Sequence, residues 1–337
     1  MNSFGDGSGL FRPGNQGLSR RLFLGLEDPS ISKSTVHRGF EDCLSRIELN
    51  TTRVKEASQH YNAVKSWLES KLSVTVRQVG SFQRSTKIRP IVEEGAIEPI
   101  DIDAIVCFGD AYAFVDGGIT CSMALQWVND SLTSNTTYGL LKPEIDNPVV
   151  TLSYKNEFYI ELIPCYRNRI GAANSSREPA SYLVANGDGL WEEADYDFDS
   201  EFITAANKRA GKKLVPAIKL VKRFIRNNGI PLKSFQIEVL CALILGPFFE
   251  GAAQNQQNWE WQDALYLFMK MAPAVLDANP TLPGSKSICQ PTSNLVSTQR
   301  QLIEWAGVFD ELRDLPDTKE RYDIYRKVYG APYPARV

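Results

Sequence analysis

Ile100-Asp101-Ile102-Asp103-Ala104-Ile105-Val106-Cys107-Phe108 is the stretch on which the reading of this 337-residue chain turns. It has the length and apolar character of a strand, with two carboxylates set two residues apart. Side chains alternate faces along a strand, so Asp101 and Asp103 are expected on one side. Neighbouring carboxylates repel each other and lose hydration unless positive charge lies between them. A hard divalent cation such as Mg²⁺ meets that need, because it prefers oxygen ligands. An isolated Asp-x-Asp also describes a solvated strand end, so the flanking sequence must decide.

Upstream, Val74 to Val79 reads as a strand ending at Gly80-Ser81, with Phe82-Gln83-Arg84-Ser85-Thr86 following. A glycine there lets backbone approach a phosphate closely, and the serine offers a hydroxyl and an N–H where a helix begins. An ordinary turn has the same composition. Downstream, residues 149–154 and 157–163 read as a strand pair turning at Lys155-Asn156, and 125–132 as a helix. Glu161 interrupts the apolar run 158–164 where a neighbour of the Asp101 strand is expected. A carboxylate buried there needs a partner, and a metal provides one. An edge strand with Glu161 in water is the plainer alternative.

Residues 1–33 are rich in Gly, Ser and Pro and read as a loosely ordered arm. Ser34 and Thr35 offer caps before apolar residues spaced by three and four from Phe40 to Leu68. No proline falls between 36 and 72, so one helix of roughly 50 Å is expected, long enough to brace two lobes. Residues 167–200 are polar and loop-like. From Glu201 onward the periodicity is helical over 202–210, 215–227, 234–245, 259–271 and 297–312. The expected fold class is α+β, with a mixed-sheet lobe over 34–200 and an α-helical lobe over 201–337.

Composition narrows the function classes. Net charge is −3, with 43% hydrophobic and 23% charged residues, so no global positive field recruits a long nucleic acid. Cys43, Cys107, Cys121, Cys165, Cys241 and Cys289 show no CxxC spacing, and His37 and His60 join no Cys/His cluster, which argues against zinc. The first residues lack a basic segment leading into an apolar one, and no apolar run approaches membrane-spanning length. The chain reads as cytoplasmic, without a membrane partner.

Taken in order, Gly80-Ser81-Phe82-Gln83-Arg84-Ser85-Thr86-Lys87-Ile88-Arg89-Pro90, then Ile100 to Val106, then Ile160-Glu161-Leu162-Ile163-Pro164-Cys165-Tyr166 resemble the bacterial cGAS/DncV-like nucleotidyltransferases, the CD-NTase or SMODS group. The stretches 215–222 and 232–240 are similar to the motifs of that family's helical lobe. The ending Val328-Tyr329-Gly330-Ala331-Pro332-Tyr333-Pro334 is similar to the family's aromatic-Gly-x-x-aromatic-Pro close. The likeness runs from about residue 36 to the C-terminus.

The resemblance implies a polymerase-β-like nucleotidyltransferase lobe, a helical lobe of the OAS/cGAS type, and an active site in the cleft between them. Ser81 would hold the donor triphosphate, with Gly80 permitting its approach. Asp101, Asp103 and Glu161 would be catalytic and hold two Mg²⁺ ions, with Mn²⁺ as a substitute. Lys219 and Ser234 would meet the triphosphate and Phe235 would stack on a nucleobase, although a core phenylalanine fits the same helix. Lys222, one turn from Lys219, reads as a solvated helix face. The family most often has Asp where Glu161 stands. Nucleoside triphosphates would be joined into a cyclic di- or trinucleotide second messenger, with loss of pyrophosphate, for a separate effector protein in CBASS-type antiphage signalling. The segment after Pro334 reads first as a plain disordered tail, with a handle for a regulatory partner as the alternative. The same carboxylates would also serve transfer to a protein, a small molecule or an RNA end, or a nucleotide-binding regulator with weak turnover.

Overall fold

Thr35–Ile47 (α1) and Thr51–Leu72 (α2) carry the apolar stripe expected of one long helix, but the chain breaks between them. Asn50 is extended, and its side chain accepts a hydrogen bond from the Thr52 N–H at 2.8 Å. Asparagine offers the backbone this alternative to a helical bond, so it starts a helix better than it continues one. The break corrects the expectation of a continuous brace, and the two halves pack apart. Val36, Phe40, Cys43 and Ile47 of α1 join the core of the helical body, while Ala57, Tyr61, Val64 and Leu68 of α2 join the core under the sheet.

The computed structural model describes residues 35–89, 92–93, 96–97, 99–110, 118–154, 158–168, 181–280, 292–316 and 318–334. The expected arm at 1–33, the Lys155-Asn156 turn, Cys289 and the residues after Pro334 lie outside these.

After α2 come β1 (Thr75–Gln78), the single turn α3 (Gly80–Gln83), and a small antiparallel pair, β2 (Val92–Glu93) and β3 (Ala96–Ile97). The long strand β4 (Ile100–Asp110) and helix α4 (Cys121–Thr133) follow, then β5 (Glu144–Asp146), β6 (Val149–Tyr154) and β7 (Phe158–Arg167). Strand order is β1-β4-β7-β6-β5. Only the central β4–β7 pairing is parallel among the pairings described. The segment read as a polar loop holds two more strands, β8 (Tyr182–Ala185) on β7 and β9 (Trp191–Ala194) on β8. Its Gly-Asp-Gly stretch is their turn, where the Asn186 side chain accepts from the Asp188 and Leu190 N–H groups and Gly189 has a φ of 75°. An Asx turn of this kind uses the residues that otherwise mark a loop.

The helical body contains α5 (Tyr196–Arg209), α6 (Leu214–Asn227), α7 (Ser234–Gln254), α8 (Trp261–Asp277), α9 (Thr292–Asp314) and α10 (Lys319–Tyr329). By length and composition α7 could cross a membrane, which corrects the expectation that no apolar run reaches that size. Of its most apolar 18-residue window 72% is buried inside the protein, as in a central core helix. Helix α10 and the residues after it close the body against α1. Phe40 meets Tyr325, Tyr329 and Tyr333 edge-on at 5.0–5.3 Å between ring centroids, and the Tyr333 hydroxyl donates to the Val36 carbonyl. The Gly-x-x-aromatic-Pro ending is therefore a structural latch.

Candidate active site

Alternation along β4 separates its two roles. Ile100, Ile102, Ala104 and Val106 enter the core with Phe158, Ile160 and Leu162 of β7. Asp101, Asp103 and Glu161 occupy alternate positions and share the opposite face. Asp103 and Glu161 are direct partners in the parallel register. The central strands thus bring the three carboxylates named from sequence together.

The Gly80-Ser81 turn is built onto Asp103. The Val79 N–H donates to the Asp103 carbonyl at 2.9 Å, and Gly80 then takes a φ of 73°. A Cβ at Gly80 would overlap the Asp103 carboxylate, lying 2.8 Å from its Cγ. Glycine is required twice here, for the left-handed backbone and for the missing side chain. Ser81 is buried at the start of α3, and its carbonyl accepts from the Thr86 N–H at 3.0 Å.

Electrostatics at the carboxylates are strained toward protonation. Burial, followed by the charges of Asp103 and Asp101, pushes the Glu161 carboxyl up to about 7, and hydrogen bonding with Asp103 adds to the rise. Asp103 is raised as well, first by burial, against the lowering influence of Lys87 and Arg84. Asp101 is ion-paired with Lys87, whose Nζ lies 2.8 Å from Oδ2. With Asp101 turned to Lys87, the described residues do not form a closed three-ligand metal cage as they stand. The donor set nonetheless fits hard divalent cations. It is all carboxylate oxygen, it shares one face, and it carries negative charge that the protein offsets only in part.

Across from the sheet, a cavity of about 480 Å³ is lined by Asp101 and Lys87 on one side and by Lys222, Arg226 and Ser234 on the other, with Ile88 and Ile237 between. Ser234 opens α7 there. Phe235 instead packs partly buried on the helical core, with the Arg84 guanidinium 5.1 Å from its ring centre. Lys219 is held by Glu48 at 2.9 Å and is not among the residues lining the cavity. Lys222 corrects the reading as a solvated face. It is 5% exposed, and its ammonium donates to Glu238 at 2.6 Å and to the Thr86 carbonyl and hydroxyl at 3.2 Å.

Glu238, which the sequence reading passed over, is the centre of that cluster. It is fully buried and also accepts from Arg84 Nε at 2.6 Å and from the Thr86 hydroxyl at 2.7 Å. Burial favours its protonated form, but Lys222 and Arg84 outweigh that and hold its pKa below the usual carboxylate range. The residues just after the Gly-Ser turn are thereby tied to α6 and α7. A signal existed in the sequence, since Glu238 interrupts an apolar helix as Glu161 interrupts an apolar strand.

Solved structures share this architecture, and they define it as the fold of bacterial nucleotidyltransferases. CdnC of E. coli MS115-1, solved with ATP, matches with a TM-score of 0.63 at 17% identity, over 88% of this chain and 98% of its own. The same enzyme in a complex with HORMA-deltaN matches at 0.62 and 18%, with the same coverage. Vibrio cholerae DncV cyclic AMP-GMP synthase, bound to the linear intermediate pppA(3′,5′)pG, matches at 0.59 and 13%, over 95% of this chain and 90% of its own. In sequence, the cyclic AMP-AMP-AMP synthase of Acinetobacter sp. (strain ATCC 27244 / 9458) is 22% identical over 316 residues, 89% of this chain and 86% of that protein. The model of the Second Messenger Oligonucleotide or Dinucleotide Synthetase (SMODS) domain matches residues 34–218, more than half of the chain. The chain belongs to that family.

Proposed function

We propose that this chain condenses nucleoside triphosphates into a cyclic di- or trinucleotide second messenger, with Asp101, Asp103 and Glu161 as its catalytic carboxylates. A ribose hydroxyl oxygen attacks the α-phosphorus of a bound triphosphate. The new P–O bond replaces the bond to pyrophosphate, which departs, and the hydroxyl proton passes to solvent. A second round on the linear product closes the ring. Two Mg²⁺ ions held by Asp101, Asp103 and Glu161, with Mn²⁺ as a substitute, would lower the hydroxyl's pKa and neutralise the leaving group.

The protein's own contribution is positioning and electrostatics. Gly80 leaves room for a phosphate beside Asp103, and Ser81 offers it a hydroxyl and an N–H. Ser234 on α7 and Asp101 on β4 line one cavity, whose volume of about 480 Å³ suits a nucleotide-sized ligand. Lys219 reaches the triphosphate by leaving the exposed Glu48, and Phe235 stacks a base on the side that Arg84 leaves open. The mixed-sheet lobe (34–200, apart from α1, which packs on the helical body) and the helical lobe (201–337) are read as the two walls of this cleft.

The observation that carries the reading is the pairing of Asp103 with Glu161 in register, with Gly80 pressed against Asp103. ATP is the first substrate to test, supported by the cyclic AMP-AMP-AMP synthase relative and by CdnC with ATP. The likeness to bacterial signalling nucleotidyltransferases supports a cytoplasmic, CBASS-type antiphage role in which a separate effector receives the product. The CdnC:HORMA-deltaN complex supports a regulatory protein partner. Incubation with the four ribonucleoside triphosphates and Mg²⁺ or Mn²⁺, followed by mass spectrometry, tests the proposal. Cyclic products from the native chain and none from Asp103→Ala are expected. Pyrophosphate release only upon adding a protein or small-molecule acceptor would overturn it.

A further inference from the structure

We propose that Lys87 is a resident counter-cation of the carboxylate cluster, holding Asp101 in the metal-free chain and giving it up when a divalent cation enters. The inference rests on the reading of Asp101, Asp103 and Glu161 as cation ligands. Lys87 belongs to the segment that leaves the Gly80-Ser81 turn, and it bonds to Asp101 Oδ2, 14 residues further along the chain, at 2.8 Å. Its side chain is 18% exposed and that of Asp101 43%, so the pair stands at the cavity rim rather than in the core.

Two features make the arrangement displaceable. Lys87 and Asp101 form a partly solvated pair, and such pairs contribute little, so they separate readily. By contrast Lys222, the other lysine on the cavity wall, has its three N–H groups engaged by Glu238 and Thr86 and is 5% exposed. Lys222 stays in place, and Lys87 can swing into the cavity it already lines. Ammonium and divalent cation compete for one carboxylate, since both placed at Asp101 repel each other. Lys87 is thus a positioning residue. It stays paired with Asp101 until the cation supplies the positive charge instead.

The test is Mn²⁺ binding to the nucleotide-free full chain, read from the loss of the free-ion EPR signal, for the native protein, Lys87→Met, Lys87→Arg and Asp103→Asn. Lys87→Met is expected to bind Mn²⁺ at least about tenfold more tightly than the native chain, the effect of deleting a unit charge from a partly screened cation site. Lys87→Arg, which keeps the charge, is expected to stay within about threefold of native, on the same reasoning. Equal or weaker binding by Lys87→Met, with binding lost in Asp103→Asn, would overturn the role of Lys87 and leave the carboxylate reading standing. No Mn²⁺ bound by any variant, even with ATP present, would overturn both.

Discussion

Replacing Glu238 by glutamine keeps the shape of the side chain and deletes one charge, which isolates what the buried cluster contributes. Glu238 is fully buried and accepts from Arg84, Lys222 and Thr86 at 2.6–2.7 Å. Lys222 and the Arg84 side chain are themselves about 5% exposed. Without the carboxylate, two cations remain in a place water cannot reach. Breaking a buried pair by removing one partner costs about 3–5 kcal/mol. For a protein of this size each kcal/mol lowers Tm by about 2 °C, so Glu238→Gln should melt about 6–10 °C below the native chain. Differential scanning calorimetry reads the change directly. The double variant Glu238→Gln/Lys222→Met removes one of the stranded cations and should recover part of the loss, a non-additivity expected of contacting groups. A single variant melting within about 2 °C of native would refute the reasoning, because a buried carboxylate between two cations cannot be that dispensable.

Gly80→Ala places a Cβ against the Asp103 carboxylate at a φ of 73°, so Asp103 must shift. A displacement of that kind is expected to lower kcat/KM for nucleotide condensation by at least about 100-fold, measured by product formation in the purified variant. Glu161, raised from the usual 4.5 to about 7, holds its proton more tightly in the folded metal-free chain than in the unfolded one. Its contribution to stability is therefore complete below about 4.5 and lost as pH rises through about 7, so Tm in EDTA should fall over that window and Glu161→Gln should flatten the fall. Cation binding runs the other way, since it needs the carboxylate, and Mn²⁺ affinity should strengthen as pH rises through about 7. Phe235→Ala should weaken ATP binding by about 5- to 100-fold if the ring stacks on a base, whereas Phe235→Leu tests whether apolar packing alone suffices. Equal affinity of both variants with the native chain, by isothermal titration, would return Phe235 to the core.

What sequence could reveal here depended on whether the chemistry lay along one strand or between distant segments. The Asp101–Asp103 spacing, the glycine before Ser81 and the charge at Glu161 each break a local pattern, and strand alternation alone sufficed to put Asp101 and Asp103 on one face. Register was beyond that reasoning. That Asp103 and Glu161 stand directly opposite follows from the parallel β4–β7 pairing, which no local pattern encodes. Lys222 and Glu238 were misjudged or missed for the same reason. A lysine on an amphipathic helix normally faces water, and only the packing of α6 and α7 against the segment after Ser81 turns it inward. The periodicity that suggested one long helix from 36 to 72 was genuine on both sides of Asn50, and it could not show that the two halves serve different cores. The helix break and the Glu238 cluster have a common consequence. α1, α6 and α7 share one core that reaches the carboxylate face through Thr86 and Arg84, so the position of the Gly-Ser turn is set as much by the helical body as by the sheet that carries it. Disturbing Glu238 should therefore move Ser81 and Asp103 together, and its effect on turnover should exceed what the loss of stability alone explains.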